Sequence, residues 1–166
     1  LVLNTDAATV DAADRWSDEA PTSSVFTLGD GAEVNTNTEN YIAYLFTEKQ
    51  GFSKFGSYEG SGDADGPFIY TGFRPAWVMT KNTVGSRHWG VKDTKRSTYN
   101  VALNQIDPDA DGAAFDSAGR SIDILSNGFK IRTSDGDMNA DGENFVYVAF
   151  AEAPFVNSKG VPCNAR

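Results

Sequence analysis

One stretch of this chain occurs twice. Residues 139–154 read NADGENFVYVAFAEAP, and residues 35–48 read NTNTENYIAYLFTE. At a constant offset of 104 residues, Asn35 and Asn139, Glu39 and Glu143, Asn40 and Asn144, Phe46 and Phe150, and Glu48 and Glu152 are identical. Tyr41 and Ile42 stand where Phe145 and Val146 follow. Each copy is a polar turn followed by about seven residues that are apolar on both faces. Such a run expects cover on both sides, as in a central strand. The prediction is that residues 41–47 and 145–151 are both central, well-buried strands.

The echo extends backwards. SSVFTLGDGAEVN before the first copy matches SNGFKIRTSDGDMN before the second, with one residue of gap. Residues 23–48 therefore echo 126–152. Two arrangements fit. One is a tandem array entered partway through its first unit. The other is a single sandwich with two pseudo-symmetric hairpins, one in each sheet.

The remaining pattern is short apolar runs between turns. Runs at 24–28, 52–58, 67–71, 76–81, 88–92, 97–105, 121–125 and 129–133 join the two echoed strands. Sixteen glycines stand among them. About ten short strands with no long helix predict an all-β, antiparallel β-sandwich of jelly-roll type. Eleven Phe, six Tyr and three Trp supply its core with flat side chains. Residues 1–22 read as an N-terminal arm, with a short helix around 7–16. Residues 23–154 form the module, and 155–166 a C-terminal tail. Arm and tail are the parts expected to lie across a neighbouring protein.

The net charge of −9 excludes nucleic acid as a partner, because phosphate contacts need clustered Lys and Arg. No run of about 18 apolar residues is present, so no membrane insertion is expected. Cys163 is the single cysteine and permits no internal disulfide.

Candidate chemistry is sparse. Asp107, Asp109 and Asp111 alternate before Gly112, as at the start of an EF-hand loop. A tight loop would turn every second carboxylate inward, so these three are the candidate Ca²⁺ ligands. The twelfth position of that loop is Ala118, where a bidentate Glu is required, so a looser calcium site is the form this reading takes. Residues 137–142 repeat the pattern and end on Val148. His88 is the single histidine, and no G-x-S-x-G elbow accompanies it. Cys163 has no fixed partner in a tail. No strand carries the paired carboxylates of a sandwich glycosidase, and there is no phosphate-binding loop. No enzymatic activity is expected, and no cofactor beyond calcium.

Trp77, Trp89, Tyr58, Tyr70 and Tyr99 are the aromatic platforms on which a sugar could stack, with loops 58–65 and 80–87 as binding candidates. Trp77 and Trp89 read better as core. Asp93 and Arg96 are expected to pair at a strand end.

Three blocks carry a resemblance: GSYEGSGDADGPFIYTGFRPAWVMTK at 56–81, WGVKDTKRSTYN at 89–100, and IDILSNGFKIRTSDGDMNADGENFVYVAFAEAP at 122–154. Together they resemble an uncharacterised β-rich module of bacteriophage virion proteins. It sits at the end of long structural proteins such as tail fibres, after a concanavalin A/laminin-G-like domain. The resemblance implies a sandwich fold and a place in the virion, at the particle surface. It implies a structural protein, most simply a tail-fibre or spike module for host-surface glycan attachment. A capsid decoration or filament subunit acting purely by packing is the alternative. Other virion proteins, further copies of the chain (a trimer, by analogy with phage fibres) and a host glycan are the expected partners. No catalytic or ligand residue transfers with it.

Overall fold

The structure, a computed structural model, describes residues 1–153. These divide into two compact units. One comprises Leu1–Ala8 and the chain from Thr47 onward, the other Thr9–Phe46.

The larger unit is the expected all-β sandwich. Its strands are β1 (Ser53–Glu59), β2 (Phe68–Tyr70), β3 (Pro75–Asn82), β4 (Gly90–Asp93), β5 (Asn104–Gln105), β6 (Phe115–Asp116), β7 (Ile122–Leu125), β8 (Gly128–Ile131) and β9 (Asn144–Ala151). One sheet has the order β1-β9-β3-β4, the second β2-β8-β7, and β5-β6 forms a small third ribbon. Every pairing is antiparallel.

The strand β9 lies between β1 and β3, as its apolar run requires. Phe145, Tyr147 and Ala149 point inward and are buried, while Val146, Val148 and Phe150 face outward and are half-buried. This period of two is the pleat of a strand whose two faces meet different surroundings. Phe145 stacks on Tyr58, its partner across β1, with ring centroids 4.9 Å apart. Tyr147 meets Phe129 of β8 edge-on at 5.5 Å, which ties one sheet to the other. Ile69, Val78, Ile122, Ile124 and Ile131 complete the core. Gly56 is needed opposite Tyr147, because a Cβ there would stand 2.9 Å from the tyrosine ring. On the outer face, Phe150 contacts Phe52, Phe55 and Trp77.

A short helix, α3 (Gly136–Asn139), leads into β9. Its N-cap Asp135 accepts a bond from the Asp137 N–H at 2.9 Å, which satisfies one of the free donors of the first turn. This segment was expected only as turns.

The smaller unit departs from expectation. It holds two short helices, α1 (Ala13–Trp16) and α2 (Ala32–Asn35), and no strand. Residues 24–28, expected as a strand, are irregular. So are 41–46, where Ile42, Tyr44 and Leu45 are 80, 79 and 73% exposed. The reading of 41–47 as a central, buried strand is thus corrected. A strand needs neighbours to take its backbone hydrogen bonds and cover its faces. Residues 41–45 pair with no strand among the described residues. The smaller compact unit begins at Thr9, and the tail 155–166 lies outside the described residues.

The first eight residues run over the sandwich itself. The Trp89 indole N–H donates to the Val2 carbonyl at 3.2 Å. The Asp6 carbonyl accepts from the Arg87 N–H at 2.9 Å and from Lys81 Nζ at 3.2 Å.

Candidate functional site

Two features can do something chemical: a cluster of charges in the sandwich, and an apolar groove in the smaller unit.

The cluster centres on Arg120, at the end of a 3₁₀ turn (Ala118–Arg120) before β7. Its guanidinium contacts Asp107 at 2.7 Å, Asp137, and Asp135 at 3.8 Å. Asp107 also accepts from Gln105 Nε2 at 2.5 Å. The two acidic stretches that looked like separate calcium loops are therefore held by one arginine. Asp109 is turned elsewhere. One of its oxygens meets His88 Nδ1 at 2.9 Å, and the other accepts from the Trp89 N–H at 3.0 Å. Asp111 is exposed on the loop. The structure does not gather Asp107, Asp109 and Asp111 around a point. Among the described residues, no group of three or more His, Cys, Asp and Glu side chains could hold a metal ion. Asp107 is engaged by Arg120 and Asp109 by His88.

These contacts shift the proton affinities. The hydrogen bond to Asp109 raises the His88 pKa, against partial burial. Burial raises the Asp137 carboxyl, and Arg120 pulls it back only in part. Lys81, fully buried, is lowered by desolvation. Lys92 is 1% exposed and donates to the Leu103 carbonyl at 3.0 Å. Burial pushes it down to about 8.

The His88–Asp109 pair has the geometry of the orienting half of a catalytic triad. Among the described residues, His88 makes no hydrogen bond to a hydroxyl or thiol that could serve as nucleophile. The pair instead ties the 107–111 loop to the start of β4. Cys163 lies outside the described residues. Asp93 and Arg96 pair as expected, at 2.6 Å. Asp93 also caps the turn after β4 by accepting from the Lys95 and Arg96 N–H groups. Burial would raise its carboxyl, but these bonds bring it below the usual range.

The aromatic candidates separate cleanly. Tyr58 and Trp89 are buried, and Trp77 is half-buried. Tyr70 and Tyr99 are 63 and 86% exposed. Loop 58–65 is pinned from inside by Asn139, which is fully buried. Its Oδ1 accepts from the Ser61 N–H at 2.8 Å, and its Nδ2 donates to the Asp63 and Thr133 carbonyls, each at 2.7 Å.

Neither Arg120 nor Asn139 stood out in the sequence as a centre. Arg120 is a single cation in an unremarked turn, and its three carboxylates come from two distant loops. Asn139 did carry a signal, as one of the five identical positions of the echo.

The groove belongs to Thr9–Phe46 alone. It encloses about 490 Å³ between Trp16, Phe26, Leu28, Val34, Tyr41 and Leu45. Its frame is polar. The Gly29 and Gly31 N–H groups donate to the Arg15 and Asp14 carbonyls at 2.8 and 2.7 Å, and Arg15 pairs with Glu33 at 3.3 Å. A Cβ on Gly29 would collide with the Asp14 carbonyl, so glycine is required there. Asn35 Nδ2 donates to the Gly29 carbonyl at 2.9 Å, and the Tyr41 hydroxyl to the Ala32 carbonyl at 2.6 Å. No helix among the described residues is long and apolar enough to cross a membrane.

Fold and site define a two-sheet antiparallel β-sandwich with an internally neutralised charge cluster and a separate apolar groove. The chain belongs to the family described as "Domain of unknown function (DUF7483)", which it matches over residues 1–154. No curated protein and no solved structure matches it.

Proposed function

We propose that this chain is a non-enzymatic structural protein of a phage virion, a module of a tail fibre or spike at the particle surface. It works by packing against other proteins. The observation that supports this is the contrast between its polar and apolar groups. Arg120, Asp107, Asp137, Asp109 and His88 are spent on one another. Ile42, Tyr44 and Leu45, by contrast, form a run of large apolar side chains open to solvent. Contiguous exposed apolar surface marks interaction sites. The resemblance of the 56–81, 89–100 and 122–154 blocks to virion modules supplies the setting.

Antibody labelling of intact particles tests the reading. The expected result is label on a fibre, spike or other surface structure. A particle preparation free of this protein, from cells that make it, would overturn it. Further copies of the chain are the expected first partner, as a trimer, and sedimentation of the purified protein reads that number.

Attachment to a host-surface glycan is the second reading. It is favoured by Tyr70 and Tyr99, whose rings stand open on the sandwich as stacking faces. A glycan array probed with assembled protein should then show binding that Tyr99→Ala removes. A blank array leaves packing as the whole function.

A further inference from the structure

The sequence echo is also a structural echo. Each helix, α2 and α3, is four residues long, and they lie at the same offset. In one, the Val34 and Asn35 N–H groups donate to the Gly31 carbonyl at 3.1 and 2.9 Å. In the other, Met138 and Asn139 donate to the Asp135 carbonyl at 3.1 and 2.7 Å. Next, Glu39 donates to Thr36 and Glu143 to Ala140, both at 3.2 Å. Thr38 and Gly142, again corresponding, both have left-handed backbones, with φ of 71° and 68°. A left-handed threonine is uncommon and costs free energy, so its place in the echo is informative. Finally, Asn35 reaches back six residues to the Gly29 carbonyl, as Asn139 does to Thr133. Residues 31–39 and 135–143 are one local structure built twice.

The two copies part company after that. Residues 144–151 become β9, with β1 on one side and β3 on the other. The corresponding 41–45 form no strand, and Ile42, Tyr44 and Leu45 are open to solvent. The side chains kept identical are largely those that join the closing element to the rest of its sandwich. Asn139 holds the 61–63 loop after β1. Glu143 accepts from Asn82 at the end of β3, at 2.5 Å. Phe150 packs on Phe55 of β1 and Trp77 of β3. Glu152 pairs with Arg74, which precedes β3, at 2.7 Å. The counterparts Asn35, Glu39 and Glu48 thus carry one half of a known interface, and Glu48 meets Lys54 of β1 in its own chain at 2.6 Å. A strand that meets the same set of partners has reason to keep that set.

We propose that residues 31–48 are a closing element for another sandwich unit of this same kind, one open between its β1- and β3-equivalent strands. The occupant of the exposed face is that pair of strands. Glu39 takes the Asn82-equivalent side chain, and Glu48 exchanges Lys54, its 2.6 Å partner within the chain, for the Arg74-equivalent guanidinium. Asn35 latches the loop after the β1-equivalent strand. Strand addition of this type draws its affinity from main-chain bonds and its specificity from alternate side chains. This deepens the packing function above and rests on it.

A fusion tests the proposal within one molecule. Residues 1–134 are joined directly to residues 31–166, so that the second 31–48 falls where α3 and β9 stand in the first unit. The first 31–48, carrying Ile42→Val as a mass label, is the internal control. Hydrogen exchange is then compared between the two copies of 41–47. The second copy should exchange at least about 100-fold more slowly than the first, because its amides enter a two-sided ladder. Asn35→Ala in the second copy should return it towards the control rate. Equal exchange in the two copies overturns the proposal. Particle labelling does not enter this measurement, so either idea can fail alone.

Discussion

Residues 31–48 and 135–152 differ in what surrounds them far more than in what they are. Both begin with the same four-residue helix, back-bonding asparagine and left-handed turn. One continues into a strand paired on both sides, the other into a run whose Ile42, Tyr44 and Leu45 are open to solvent. Helix and turn are closed by bonds within about ten residues, so they form wherever their sequence occurs. A strand is closed by partners far along the chain, so it forms only where those partners are.

The largest expected difference lies in the paired aromatics. Phe145→Ala removes a fully buried ring stacked on Tyr58 and should cost the sandwich about 4 kcal/mol in a urea melt. Tyr41→Ala, at the corresponding position, should change that melt by less than about 0.5 kcal/mol. Equal losses would break the comparison. Next come the acids of the two helices. Arg120→Ala leaves Asp107 and Asp137 without their partner, 9 and 11% exposed, and should cost about 3 kcal/mol. Glu33→Gln, which breaks the exposed pair with Arg15, should cost less than about 1 kcal/mol. The asparagines follow. Asn139→Ala should cost about 2 kcal/mol, since it strands buried donors and acceptors on loop 58–65. Asn35→Ala should leave the sandwich unchanged and loosen only its own helix, as read by amide exchange.

A smaller effect separates the units by pH. The chain has one histidine, in the sandwich. The His88 pKa is raised above its ordinary 6.5 in the folded state. The stability it contributes is therefore full below about 6.5 and is lost as pH rises through the folded value. Amide protection at 107–111 should fall over that window, protection at 31–39 should not, and Asp109→Asn should flatten the step. Smallest of all, calcium or EDTA should leave the melting temperature of the sandwich unmoved, because Asp107 and Asp109 are held by Arg120 and His88. A clear rise with calcium would restore Asp107, Asp109 and Asp111 as ligands.

Much of the fold was legible. The runs at 52–58, 67–71, 76–81, 121–125 and 129–133 all proved to be strands, because a buried pleated segment must alternate or be apolar throughout. The pairing of Asp93 with Arg96 was legible because its partners are three residues apart. Of the run at 97–105 only β5 is a strand, and β6 was not legible, since two residues of ladder leave no period to read. The candidate calcium loops show a different limit. Acid spacing describes where carboxylates can point, and the arginine that claims Asp107 and Asp137 comes from elsewhere in the chain.

By itself the sequence determined the all-β class and the local likeness of residues 31–39 to 135–143. These follow from local hydrogen bonding and from side-chain period, which every copy of a segment carries with it. Only the tertiary structure decided that 145–151 is a strand and 41–46 is not. Burial and ladder pairing belong to the neighbours of a segment, and the two copies do not have the same neighbours.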